Sequence, residues 1–110
     1  MTTTTVSHTA ALARFGGALA DETRAQILLE LRGGPGYPSD LAESLGVSRQ
    51  VMSNHLACLR GCGLVEGVRD GRRTRYRLST GQLESALGGL LGLVLQIDPQ
   101  CCTPEGCSCQ

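Results

Sequence analysis

The sequence predicts a mainly α fold of five helices carrying a single β-hairpin, and three observations predict it. Apolar residues recur at helical spacing in five stretches between Ala10 and Ile97, bounded by capping and breaking residues. Gly46-Val47-Ser48 separates two of those stretches by a tight turn. A short alternating segment then doubles back across Asp70-Gly71.

Each element has its own local signal. Thr2 to Thr9 is polar and expected to be frayed, so the first helix is placed over Ala10 to Leu19. Asp21 suits an N-cap, and the helix through Arg32 carries Ile27, Leu28 and Leu31 on one face. Gly33-Gly34-Pro35-Gly36 ends it. Pro38 fits the first turn of a short helix that buries Leu41 and Leu45 and stops at Gly46. Ser48 caps the fourth helix, Arg49 to Gly61, whose inner face is Met52, Leu56 and Leu59. Leu64 to Arg69 and Arg73 to Leu78 are the hairpin strands. Period two puts Thr74, Tyr76 and Leu78 on one face and Arg73, Arg75 and Arg77 on the other. A fifth helix from Thr80 to about Ile97 carries Leu83, Leu87, Leu90, Leu91, Val94 and Leu95 as a broad apolar stripe, and Pro99 stops it. The third and fourth helices followed by the hairpin make a winged helix-turn-helix, with the fourth helix as reader. So apolar a terminal helix on so small a domain reads as a dimer seam.

The 110 residues, 41% of them hydrophobic, fit one small domain. With one Phe and no Trp its core is aliphatic, and a partner surface would help it. The division expected is a flexible N-terminus at 1–9, a DNA-binding and dimerisation domain at 10–97, and a cysteine-rich tail at 98–110. Formal net charge is zero, which argues against a general nucleic-acid coat. The arginines are clustered, however: Arg60, Arg69, Arg72, Arg73, Arg75 and Arg77 share one short stretch, opposed there only by Glu66 and Asp70. The N-terminus has neither the basic start nor the apolar run of a signal peptide, and no stretch is long and apolar enough for a membrane span. The expectation is a cytoplasmic protein with reduced thiols, where cysteine clusters lean towards metal or redox chemistry.

Cys58 and Cys62 carry the sharpest signal. Positions four apart share one helix face with Cβ atoms about 5–6 Å apart, so two thiolates there can close on one soft ion. Cys101, Cys102, Cys107 and Cys109 crowd the last ten residues and offer a third ligand. Three thiolates favour Cd(II) or Pb(II); Zn(II) and As(III) compete for the same donors. Cys107 and Cys109 form a possible second metal site. The competing reading is that Cys58 and Cys62 merely pack beside Leu56 and Leu59, as small buried cysteines do. Ser48, Arg49, Gln50, Ser53, Asn54 and His55 occupy the first turns of the reader helix, where base edges are met. His55 reads equally well as a packed residue. Arg72, Arg73 and Arg75 are candidates for gripping phosphate, against the alternative of a merely solvated face.

The runs Ala18-Leu19-Ala20-Asp21-Glu22-Thr23-Arg24, Asp40-Leu41-Ala42, Val51-Met52-Ser53-Asn54-His55-Leu56, Gly63-Leu64-Val65 and Asp70-Gly71-Arg72-Arg73-Thr74-Arg75-Tyr76 closely resemble the ArsR/SmtB family over residues 10–97. The resemblance implies a homodimeric winged-helix repressor that binds an inverted-repeat operator in double-stranded DNA and releases it on binding metal. The third-helix cysteine motif of many family members is absent, since Tyr37-Pro38-Ser39-Asp40-Leu41 contains none. The fifth-helix Asp/His pattern is absent too, the histidines being His8 and His55. Leu56-Ala57-Cys58-Leu59-Arg60-Gly61-Cys62-Gly63-Leu64 is similar to the cadmium- and lead-sensing type of the family. That similarity implies a third cysteine ligand from the tail, Cys101 or Cys102, contributed across the dimer.

Two other classes compete: a thiol redox switch on the same fold, and a metal buffer whose tail sequesters ions. No nucleophile–base pair, phosphate loop or carboxylate set points to an enzyme.

Overall fold

The computed structural model describes residues 7–93. The four tail cysteines, and Val94, Leu95 and Ile97 of the expected fifth helix, lie outside the described residues. The elements follow in the order α1 (His8–Leu19), α2 (Glu22–Arg32), α3 (Pro38–Leu45), α4 (Arg49–Gly61), β1 (Val65–Asp70), β2 (Arg73–Leu78) and α5 (Gly81–Gly92).

Caps set most of these boundaries. Ser7 Oγ accepts from the Ala10 N–H at 3.1 Å, so α1 starts at His8, two residues before the expected Ala10. At its far end Arg24, reaching back from α2, donates to the carbonyls of Ala18 and Gly17, both at 3.1 Å. Asp21 caps α2 through its Oδ1 and the Arg24 N–H at 3.0 Å. Pro38 opens α3, and Gly46 closes it with a left-handed φ of 68° that a side chain would resist. Ser48 Oγ accepts from Val51 N–H at 3.1 Å to start α4, as its sequence position implies. Thr80 does the same for α5 through Leu83 N–H.

α2 and α4 supply the centre of the core. Ile27, Leu28, Met52, Leu56 and Leu59 are its largest fully buried side chains, with Leu31, Leu41, Val65 and Leu87 around them. The two strands pair antiparallel from Val65↔Leu78 to Asp70↔Arg73.

Three further boundaries differ from the sequence reading. The Leu64 N–H closes the end of α4 on the Leu59 carbonyl at 3.0 Å, so β1 begins one residue later. The hairpin loop is Gly71-Arg72, not Asp70-Gly71, because Asp70 stays paired with Arg73 and Gly71 takes the left-handed φ of 64°. Helix α5 ends at Gly92, with Leu93 already extended where the expected helix continued; the rest of that expected span lies outside the described residues. Gly88 and Gly89 each cost about 1 kcal/mol relative to Ala in a helix interior, and Leu90 and Leu91 find no core to offset it.

One pairing was not legible locally. Gly36 and Tyr76 exchange two backbone hydrogen bonds, at 2.9 and 2.8 Å, which fastens the α2–α3 connection to β2.

The Asp21 carboxyl is held below the ordinary carboxylate range. The main cause is the Arg24 N–H it accepts; partial desolvation opposes this, and the nearby His55 and Arg24 charges assist it. A depressed folded pKa means stabilisation that is present above the ordinary carboxylate range and lost as pH falls through the folded value. Asp21→Ala is expected to cost about 1 kcal/mol at neutral pH. Urea unfolding should show that gap narrowing towards zero in strong acid.

Candidate metal centre and nucleic-acid interface

The 3.6-residue period of α4 divides its side chains between core and solvent. With Met52, Leu56 and Leu59 buried, Arg49, Gln50, Ser53 and Asn54 are exposed on the opposite side. Gln50 Nε2 donates to Asn54 Oδ1 at 3.0 Å, which lines the two amides along one ridge. Ser48 is exposed, but its hydroxyl is committed to capping. His55 does not share this face. Its side chain is 18% exposed and its Nε2 stands 4.0 Å from Asp21 Oδ1, so it packs towards the start of α2. Of its two sequence readings, the geometry supports the packed one.

The same i+4 ridge that carries Gln50 and Asn54 continues into Cys58 and Cys62. Both are free thiols, Cys58 exposed and Cys62 half-buried. The Cys62 N–H donates to the Cys58 carbonyl at 3.0 Å, so a regular helical turn separates them. Cys58 is exposed, which weighs against the reading in which it simply packs beside Leu56 and Leu59. Helical spacing leaves the two Cβ atoms about 5–6 Å apart, whereas a disulfide needs about 3.5–4.5 Å. A disulfide between them would have to unwind the end of α4; a metal ion between two thiolates would not. Among the described residues no group of three His, Cys, Asp or Glu side chains converges on a common point. The described part of the chain therefore offers two sulfur donors, a set whose softness fits Cd(II) or Pb(II).

The wing departs from the simple alternation. The period of two placed Arg73, Arg75 and Arg77 together on one basic face, expected to lie beside a phosphate backbone. Instead Arg77 Nε donates to Glu66 Oε1 at 2.6 Å across the ladder. Arg75 is half-buried, and its Nε is enclosed without a hydrogen-bond partner. Arg73 lies over the Tyr37 ring and reaches Ser39 and Asp40. Arg72, in the loop, is exposed and has no ion-pair partner among the described residues. The Tyr37 hydroxyl donates to Asp70 Oδ2. That hydrogen bond, with some desolvation and the Asp70 charge, raises the Tyr37 pKa, against the opposing charges of Arg73 and Arg75. Sequence reasoning missed Tyr37, Ser39, Asp40 and Asp70 as partners of the wing. The Glu66–Arg77 pair was findable from strand register, but the Tyr37 contacts join segments more than thirty residues apart.

Residues 21–67 match the model of the arsR family of bacterial regulatory proteins. The chain is 52% identical over 96 residues to the HTH-type transcriptional regulator CmtR of Mycobacterium tuberculosis and of Mycobacterium bovis, covering 86% of this chain and 81% of the relative. It belongs to the ArsR family. The family winged-helix fold agrees with solved structures: the cadmium metal sensor CmtR from M. tuberculosis superposes with a TM-score of 0.64 at 52% identity, over 78% of this chain and 90% of the other. A homodimeric winged helix-turn-helix DNA-binding domain from M. bovis superposes at 0.72 with 30% identity, over 83% and 87%. These relatives are transcriptional regulators, which places this chain among DNA-binding regulators and not among enzymes. No helix among the described residues is long and apolar enough to cross a membrane.

The two thiols should differ in reactivity. Brief alkylation of the reduced, metal-free protein, read by peptide mass mapping, is expected to modify Cys58 before Cys62; equal rates would contradict the exposures described.

Proposed function

We infer that this chain is a metal-responsive transcriptional repressor. It binds operator DNA as a homodimer without metal and lets go when Cd(II) or Pb(II) is bound by Cys58, Cys62 and a tail cysteine, Cys101 or Cys102. The observation that carries the reading is the pair of free thiols one turn apart on α4, directly beyond the exposed Gln50–Asn54 ridge. Similarity to a cadmium sensor supports the choice of ion.

Apolar exposure on the terminal helices supports dimerisation. Leu12 of α1 is 72% exposed, and Leu90 and Leu91 of α5 are 45% and 54% exposed. Covering that surface with a second copy would bring two α4 helices into one assembly, one for each half-site of an inverted-repeat operator. Arg49, Gln50, Ser53 and Asn54 then face base edges, where Arg and Gln each make bidentate contacts. Phosphate contacts supply much of the affinity and make it salt-dependent.

Release has a physical basis in the placement of the thiols. Three thiolates around a divalent ion carry net −1, and Cys58 lies one turn from Asn54, so that charge sits close to DNA phosphate. Fixing the end of α4 to the tail re-aims the reader helix as well. A coupling of about 1–3 kcal/mol, or about 5–150-fold in affinity, is typical of such linkage. Zn(II) and As(III) are the competing ions for the same donors. The Cβ spacing weighs against a redox switch made by Cys58 and Cys62.

The test is an anaerobic titration of the reduced protein with Cd(II) and Pb(II), following sulfur-to-metal absorption, with DNA anisotropy in parallel. Intense bands saturating at one ion per subunit are expected, with DNA affinity falling by about 5–150-fold. Cys58→Ser and Cys62→Ser should weaken the bands and abolish the metal effect on DNA. If both variants keep wild-type release, the sensor site is elsewhere. Removing residues 99–110 separates this reading from a metal buffer, which predicts untouched DNA control.

A further inference from the structure

The hairpin is fastened near its turn by contacts that strand pairing alone does not need. Tyr37, immediately before α3, donates its hydroxyl to Asp70 Oδ2. The Arg73 guanidinium carbon lies 3.5 Å from the centroid of the same Tyr37 ring, a cation–π contact. Arg73 Nη2 also donates to Ser39 Oγ at 3.3 Å and stands 3.7 Å from Asp40 Oδ2. Asp70 and Arg73 are the pair that closes the hairpin, so one tyrosine grips both strands where they turn.

A second attachment lies three residues along β2, where Tyr76 exchanges backbone hydrogen bonds with Gly36. Three residues of strand span about 10 Å. Two fixing points that far apart set the direction of the hairpin as well as its position. An isolated two-stranded hairpin is marginally stable at best in water. The angle between wing and α4 therefore comes from tertiary contacts, these two attachments together with the packing of Val65, Tyr76 and Leu78 against the core, and not from the ladder alone.

We propose that Arg73 is a positioning residue which, with Tyr37 and Asp70, fixes the wing relative to the reader helix, and that Arg72 is the wing cation that meets DNA phosphate. The charge distribution agrees with this division. Asp40 stands beside the Arg73 guanidinium, and Asp70 is its cross-strand partner held by the same tyrosine. Arg72 is exposed in the loop, with no carboxylate paired to it among the described residues. The assignment of Arg72 rests on the DNA-binding reading given above.

Two measurements on the metal-free full-length protein test it. The first is the salt dependence of binding to a duplex recovered by the wild-type protein from a random library. Arg72→Ala should lower affinity and flatten the slope of log K against log salt, by about 0.9 for each phosphate contact removed. Tyr37→Phe and Arg73→Ala should lower affinity roughly tenfold while leaving that slope unchanged, and Arg73→Lys should not rescue it although it keeps the charge. A slope flattened by Arg73→Ala, or wild-type affinity in Arg73→Lys, would make Arg73 a phosphate contact and overturn the proposal. The second measurement needs no DNA. Amide hydrogen exchange in β1 and β2 should quicken in Tyr37→Phe and Arg73→Ala but not in Arg72→Ala; unchanged exchange in the first two would overturn the clamp. Should the wild-type protein recover no duplex, the repressor reading and the assignment of Arg72 fall, and exchange alone decides the clamp.

Discussion

The seating of α4 in the core through Met52, Leu56 and Leu59 is the constraint on which the rest of this protein depends. Burial of side chains of this kind is worth about 1.5–3 kcal/mol each, and all three are essentially inaccessible to solvent. With that face committed, the helical period leaves no freedom in where the others point. Arg49, Gln50, Ser53 and Asn54 must face outward, and the ridge through Gln50 and Asn54 must run on to Cys58 and Cys62. A reading surface and a pair of soft donors thereby become parts of one rigid element. A ligand held by the thiols needs no long path to reach the surface that would meet DNA.

The wing answers a different physical problem. The hairpin is rooted in the core by Val65, with Tyr76 and Leu78 packed against it, but its alternation alone would leave three arginines solvated. Tertiary contacts instead divide the cations by task. Arg77 is spent on Glu66 across the ladder, Arg73 on the start of α3, and Arg75 is drawn partly inside. Gly67 belongs to the same arrangement. A Cβ there would stand 2.9 Å from Thr74 Cγ2, so the missing side chain leaves room for Thr74 across the ladder, while the Tyr76 ring would lie at 3.4 Å, near ordinary contact.

Apolar surface is distributed with equal economy. The central helices α2 and α4 keep their large side chains inside, while the terminal helices α1 and α5 leave Leu12, Leu90 and Leu91 open. A small aliphatic core without Trp has little surplus stability, and a second copy covering those leucines would supply what one chain lacks.

Local chemistry by itself determined the caps at Asp21, Ser48 and Thr80, the stop at Gly46, the inner face of α4 and the i+4 relation of Cys58 to Cys62. Each depends on residues within about one helical turn, so a short window of sequence holds the whole cause. Only the tertiary structure decided that His55 turns to Asp21 and that Cys58 is exposed while Cys62 is half-buried. It also decided that Gly36 pairs with Tyr76 and that Tyr37 stacks under Arg73. These contacts join segments far apart in the chain. Alternation and helical period fix the face a side chain takes on its own element, but the element that comes to lie against that face is set by how the core packs.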